Sequence, residues 1–291
     1  MKKGVPCFLF VCMLAVCAQL LPGQAGIPDR RADLEELAVR YGLEAWPGKN
    51  GPVVAGIKGE ELFRSGNPLV RDHDDWLQVD DEWILVRQFA RSDRAFVVDL
   101  AVARTCKTAQ EVLFSHLTKQ SAMKPLDPPA LPCGRIRLMD IGDVCFALPQ
   151  QGKEPFHSVE FVRNNIVVLL KTLGNTAGDL RKIAAAIDEH ITSQPLFPDW
   201  QSTGLWISID RFEVEDVRVK SGSITPILVT ITDPRNETIV KAWELSSGGI
   251  LEENGQTSFN AEGSGRQTIT LLVANSSGLS ASARTELEVL K

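Results

Sequence analysis

A chain of 291 residues with 37 acidic and 31 basic side chains, and a formal net charge of -6, presents no electrostatic footprint for nucleic acid or an anionic membrane surface. Its lysines and arginines form no cluster, and 44% hydrophobic residues are ample for buried cores. The length suits an export leader followed by two domains of the usual size, roughly 100–200 residues each.

Residues 1–25 read as a signal peptide. Lys2 and Lys3 open it, an apolar run fills 7–21, and Gly23 and Ala25 are the small residues a signal peptidase needs. Cleavage after Ala25 removes two lysines and no acid, so the formal charge moves from -6 to -8. The run falls short of the ~20 apolar residues that span a bilayer, and no later run is long enough. Leu14-Ala15-Val16-Cys17 resembles a lipobox, so a lipid anchor at Cys17 stays open beside simple secretion and a retained membrane anchor. The expectation is an exported protein, periplasmic or extracellular.

Residues 26–193 make the first expected domain. It opens with a helix over 29–41, whose apolar face is Leu34, Leu37, Ala38 and Tyr41 and which Gly42 ends. The stretch 71–82 gathers Asp72, Asp74, Asp75, Asp80, Asp81 and Glu82 around His73. A calcium or magnesium site needs several oxygens converging from a constrained loop. The glycine that bends such a loop is missing, and Trp76-Leu77-Gln78-Val79 alternates like a strand. A solvated acidic face is therefore expected, with Asp72, Asp74 and Asp75 as weak cation-site candidates.

Strands are expected over 83–90 and 95–103, then a helix over 108–120 with Ala109, Val112, Leu113 and Leu117 facing inward. Four prolines between 123 and 132 make a surface loop, and 135–140 with 143–148 make a hairpin. The stretch 158–191 then reads strand, turn, strand, loop, helix. Asn164-Asn165 is its turn, because asparagine tolerates left-handed backbone angles. Residues 166–170 are apolar throughout and suit a strand buried on both faces. Asp179 is placed to cap the closing helix, in which Leu180, Ile183, Ala184 and Ile187 recur at helical spacing. Neighbouring strands that mostly pair as hairpins predict an α+β fold, an antiparallel sheet with helices on one face. The cadence, with its Arg163-Asn164-Asn165 turn before a hydrophobic strand and a closing helix, loosely resembles uncharacterised bacterial envelope proteins.

Three of the six cysteines lie in the leader, leaving Cys106, Cys133 and Cys145. A hairpin turning at Ile141-Gly142 sets Leu138 opposite Cys145 and carries Cys133 away from it. The preferred bridge is thus Cys106–Cys133 with Cys145 a buried thiol, and three reduced cysteines are the alternative. No cysteine or histidine stands at zinc-ligand spacing.

Residues 194–204 carry Pro195 and Pro198, have no helical period, and read as a linker. From 205 to 291 short alternating runs recur with turn signals between them, which predicts an all-β sandwich. Trp243-Glu244-Leu245-Ser246-Ser247-Gly248-Gly249, followed by the run from Gly265 to Ser280, resembles PKD and related Ig-like modules of bacterial surface proteins. The resemblance implies that Trp243 fills the core between the sheets. It also implies that Gly278 takes a positive backbone angle in the last hairpin.

Catalytic signals are sparse. The chain holds no Gly-x-Ser-x-Gly elbow, His-Glu-x-x-His, phosphate loop or GxGxxG. Ser115 and His116 are adjacent on a helix and point to different faces, which is poor geometry for a nucleophile and its base. Asn236 and Asn275 each begin a glycosylation acceptor triplet, relevant only in a eukaryotic secretory pathway. No cofactor is expected. The expectation is an exported, non-catalytic protein that binds an envelope or extracellular protein or glycan, with the sandwich as spacer or second contact. The alternative is a hydrolase of extracellular polymers whose sandwich is an accessory module.

Overall fold

A computed structural model describes residues 50–62, 69–79, 81–91, 95–121, 135–150, 153–173, 179–253 and 255–291. The leader, Cys17, the 29–41 helix and Cys133 lie outside the described residues. Seven strands form one antiparallel sheet: β2 (Leu69–Val79), β3 (Glu82–Arg91), β4 (Phe96–Val102), β5 (Ile136–Leu138), β6 (Val144–Gln150), β7 (Lys153–Arg163) and β8 (Ile166–Thr172). Their spatial order is β2-β3-β4-β8-β7-β6-β5. Two further short strands, β1 (Val53–Val54) and β9 (Leu196–Phe197), pair with each other. The stretch expected to be a linker therefore carries a strand.

The helices correct the expected class. Among the described residues strands make up 56% and helices 15%, so the fold is mainly β rather than α+β. The two α-helices among the described residues also lie on opposite faces of the sheet. Helix α1 (Cys106–Ser121) sets Ala109, Val112, Leu113 and Leu117 against Val162, Val167 and Leu169. Helix α2 (Leu180–Thr192) sets Leu180, Ala184, Ile187 and Ile191 against Val159, Phe161, Val168 and Leu170. Alternation along β8 explains why both faces need a cover. Successive side chains point to opposite sides, and all five from Ile166 to Leu170 are apolar and buried.

Local signals held where their physics is local. Asn164 has φ of 53°, the left-handed turn angle that asparagine tolerates. The Asp179 carboxylate accepts from the Arg181 and Lys182 amides and so caps α2. The Thr105 hydroxyl accepts from the Thr108 amide at 3.0 Å and caps α1 in the same way. Arg163 grips the far end of α2 with a two-pronged pair to Asp188, both bonds 2.7 Å, which holds its guanidinium pKa above the usual value.

The C-terminal region has two four-stranded sheets, which share a core. One has the order β10 (Ser208–Val214), β12 (Ile224–Thr232), β15 (Gln256–Asn260), β14 (Gly249–Glu253). The other runs β11 (Arg218–Lys220), β17 (Ser280–Leu290), β16 (Gly265–Asn275), β13 (Ile239–Leu245), with β11 parallel to β17. Val214, Ile227, Phe259, Ile269, Leu287 and Val289 form their shared core. Trp243 is half-buried and meets Phe212 of the facing sheet at 6.1 Å, so one ring comes from each sheet. Gly278 has φ of 81°, and a Cβ there would come within 2.9 Å of Val102 in the first sheet. Trp206, Ile207, Leu279 and Ala281 belong to the same buried cluster as Phe89 and Val102, so the apolar interior runs from one region into the other.

Candidate functional site

The α1 face of the sheet is apolar beneath the first turns of the helix and polar near its last ones. Cross-strand register aligns Asp99 of β4 with Leu169 of β8, and Leu169 with Glu160 of β7, so the two carboxylates project to the same side. Glu160 has no exposed surface. Its Oε1 accepts from Arg135 Nη2 at 2.9 Å, and His116 Nε2 of α1 lies 3.9 Å from the same oxygen. Asp99 accepts from Gln88 Nε2 at 2.7 Å and pairs with Lys171 Nζ at 3.7 Å. Lys171 and His116 are the solvent-facing members, with side chains 36% and 24% exposed.

Two buried polar atoms in this row, Glu160 Oε2 and Ser158 Oγ, have no hydrogen-bond partner among the described residues. Leaving a buried polar group unmet costs about 1–3 kcal/mol, more for a charged one. A further donor would recover that cost, and hydroxyls, amides and ammonium groups all qualify. Burial pushes the His116 pKa down, against the opposing pull of Glu160, so the ring is neutral at neutral pH and able to donate or accept. The sequence did carry a signal for this row. Asp99 interrupts Phe96-Val97-Val98 and Leu100-Ala101-Val102, and Glu160 stands between Val159 and Phe161. A charge inside an otherwise apolar strand is costly unless paired.

The residues singled out in the sequence fall elsewhere. Asp72, Asp74 and Asp75 lie on the edge strand β2, where alternation disperses them. Asp72 occupies a bulge, because register jumps between Arg71 and His73. Asp74 is taken by Arg71 and by Arg87, 3.2 Å away. Asp75 accepts from the Trp76 amide at 2.8 Å. Among the described residues no group of three or more His, Cys, Asp or Glu could hold a metal ion. Glu82 accepts from the Arg104 amide at 2.9 Å, and burial raises its pKa.

Cys106 carries a free thiol that donates to the Pro52 carbonyl at 3.3 Å, and its expected bridge partner Cys133 lies outside the described residues. Cys145 is a buried free thiol paired across the hairpin with Leu138, in the expected register. Trp243 lies in the C-terminal sheets and Gly278 in the turn between β16 and β17, away from the polar row. Asn275 is fully buried and donates to Asp233 at 3.0 Å, so its side chain is not presented as a glycan acceptor in the folded protein. Asn236 is exposed.

No protein-family model and no curated protein matches the chain. Among solved structures, a chain described as a polysaccharide lyase is similar over 77% of this chain and 35% of its own, at 7% identity and a TM-score of 0.22. This chain thus spans about a third of that protein's length. A likeness of that size transfers neither fold nor chemistry.

Proposed function

We propose that the protein is exported by its 1–25 leader and binds an envelope or extracellular protein or glycan through the polar end of the α1 face. The observation that carries this reading is the half-met Glu160 carboxylate in a row of charged and amide groups. Stability alone favours apolar side chains at such positions, since replacing a buried ion pair by well-packed hydrophobic residues is often neutral or stabilising. The signal-peptide pattern of residues 1–25 supports export.

The resemblance of residues 205–291 to Ig-like modules is supported by their strand order. Taken in chain order with β11 as an added short strand, one sheet reads A-B-E-D and the other C-F-G. Modules of that kind bind or position other parts of a protein, and here the sandwich would be a second contact.

The test incubates the mature chain from residue 26 with envelope fractions of the producing cell, followed by crosslinking and co-sedimentation. One specific retained protein or glycan is expected. Lys171→Glu, which reverses charge at the accessible rim, should lower retention roughly tenfold, the size of a single lost charged contact. Equal retention by this variant and the wild type would remove the α1 face from the reading.

A second reading has one observation in its favour. Asp99 and Glu160 face the same side two strand spacings apart, roughly 10 Å between backbones, near the upper range for inverting glycosidases. Sugar release from extracellular polysaccharides that disappears in Glu160→Gln would support hydrolysis. Release that persists in that variant would count against it.

A further inference from the structure

Residues 52–58 run between the sheet, the β9 segment and the sandwich, and all three claim their backbone groups. The Pro52 carbonyl accepts from Asn164 Nδ2 at 3.0 Å as well as from Cys106. Val54 exchanges two bonds with the buried Asn165 side chain, at 2.7 and 3.1 Å, and the same amide reaches the Ala103 carbonyl at 2.7 Å. Val53 and Val54 pair with Phe197 and Leu196.

A few residues on, the partners change to the sandwich. The Ile57 amide donates to the Ser277 carbonyl at 2.9 Å in the turn between β16 and β17. The Ala55 carbonyl accepts from Arg235, which also donates to Ser277 Oγ at 2.8 Å. Lys58 Nζ lies 3.1 Å from Glu237, which itself accepts from the Ser277 amide and hydroxyl at 2.8 and 2.7 Å. Gly56 sits between these bonds with φ of 87°, and a Cβ there would meet the Ser277 carbonyl at 2.8 Å. The two backbone segments approach as closely as glycine permits. From the sheet side, buried Arg87 donates to the Ser276 and Asn275 carbonyls at 2.7 and 3.3 Å.

We infer that residues 52–58 are a keystone strap that makes the seven-stranded sheet and the sandwich one cooperative unit, with the sandwich a fixed wall rather than a spacer swinging on 194–204. Relative motion is the default for linked domains unless their interface is large and hydrophobic. Here Leu279, Trp206 and Ile207 are buried in the core of the sheet, and oriented hydrogen bonds fix one docked arrangement around them. Separating the regions would expose that apolar surface and strand Arg87 and Ser277 together, so the regions open as one.

Calorimetry of the full chain should give a single transition whose calorimetric and van't Hoff enthalpies agree. In Arg235→Met, which keeps an apolar stem and removes the bonds to Ala55 and Ser277, amide exchange over 52–58 should speed up roughly tenfold. Exchange at Ile269 and Leu271 inside the sandwich should stay slow. Gly56→Val, strained in backbone and blocked by Ser277, should split the transition in two. Two transitions in the wild type, one unbroken transition in folded Gly56→Val, or unchanged exchange over 52–58 in Arg235→Met would each overturn the inference. If Gly56→Val fails to fold, the wild-type calorimetry and Arg235→Met decide it.

Discussion

The two faces of the seven-stranded sheet are built from the same strands and differ in what they bury. Toward α2, β4 presents Phe96, Val98, Leu100 and Val102, β7 presents Val159 and Phe161, and β8 presents Ile166, Val168 and Leu170, all buried. Toward α1 the alternate positions begin apolar, at Ala101, Val162 and Val167, and end polar, at Asp99, Glu160 and Lys171. One face is an uninterrupted core that continues into the sandwich. The other gives up part of its apolar contact to hold charge. The polar end of the second face holds charge where well-packed apolar side chains would be as stabilising or more so.

The largest effect that would sharpen this contrast lies on the apolar face. Phe161→Ala removes a fully buried ring and should cost about 3–5 kcal/mol, read as a lowered urea midpoint at unchanged slope. Retention of a partner by the protein that remains folded should be untouched. Next in size, Glu160→Ala takes away the carboxylate paired with Arg135 and should cost about 3 kcal/mol. The paired replacement Glu160→Leu with Arg135→Met should return to within about 1 kcal/mol of the wild type while abolishing retention. A double variant as unstable as Glu160→Ala would mean that the polar row is structural, and the contrast between the faces would collapse.

Smaller effects separate the two helices. Asp179→Ala removes the cap of α2 and should cost about 1 kcal/mol, with exchange increasing in the first turn of that helix and not in α1. The smallest effect is a pH dependence on the other side. Burial sets the folded-state pKa of His116 below its ordinary value of 6.5. As pH falls through about 6.5 the unfolded chain takes up a proton that the folded chain does not. The contribution of His116 is therefore present above that pH and is lost between it and the lower folded value. Melting temperatures of the wild type should drop faster than those of His116→Gln from pH 7 to pH 5, and parallel curves would show that the ring is not buried as described. Acid should also act at the interface. Burial works to raise the Glu237 pKa, but bonds from Ser277 and Lys58 outweigh it and hold it below the usual value, so its contribution fades only below the usual glutamate range.

Much of the local structure was legible because its causes are local. The Asn164 turn, the Asp179 cap and the Leu138–Cys145 register each depend on a few consecutive residues. The alternating runs expected between 205 and 291 include the observed strands β13 and β17. Three stretches were not legible. Residues 69–79 were weighed mainly by charge, and they form an 11-residue edge strand whose acids guard an exposed edge. Val53–Val54 and Leu196–Phe197 are too short to show a period and become strands only by meeting. The polar row was overlooked because its members are scattered from Gln88 to Lys171 and no pair of them sits at a motif spacing.

By itself the sequence determined periods, turns and caps, and that residues 166–170 are buried on both faces. Which helix covers which face was decided only in three dimensions. An amphipathic helix following a hairpin offers one apolar stripe, and that stripe fits either side of a sheet whose alternate positions are both apolar. The same reason hid the strap. Its bonds go to Asn165, Ser277 and Arg235, each more than a hundred residues away. A backbone amide carries no mark in the sequence of the distant carbonyl it will meet, and only the closed fold brings the two together.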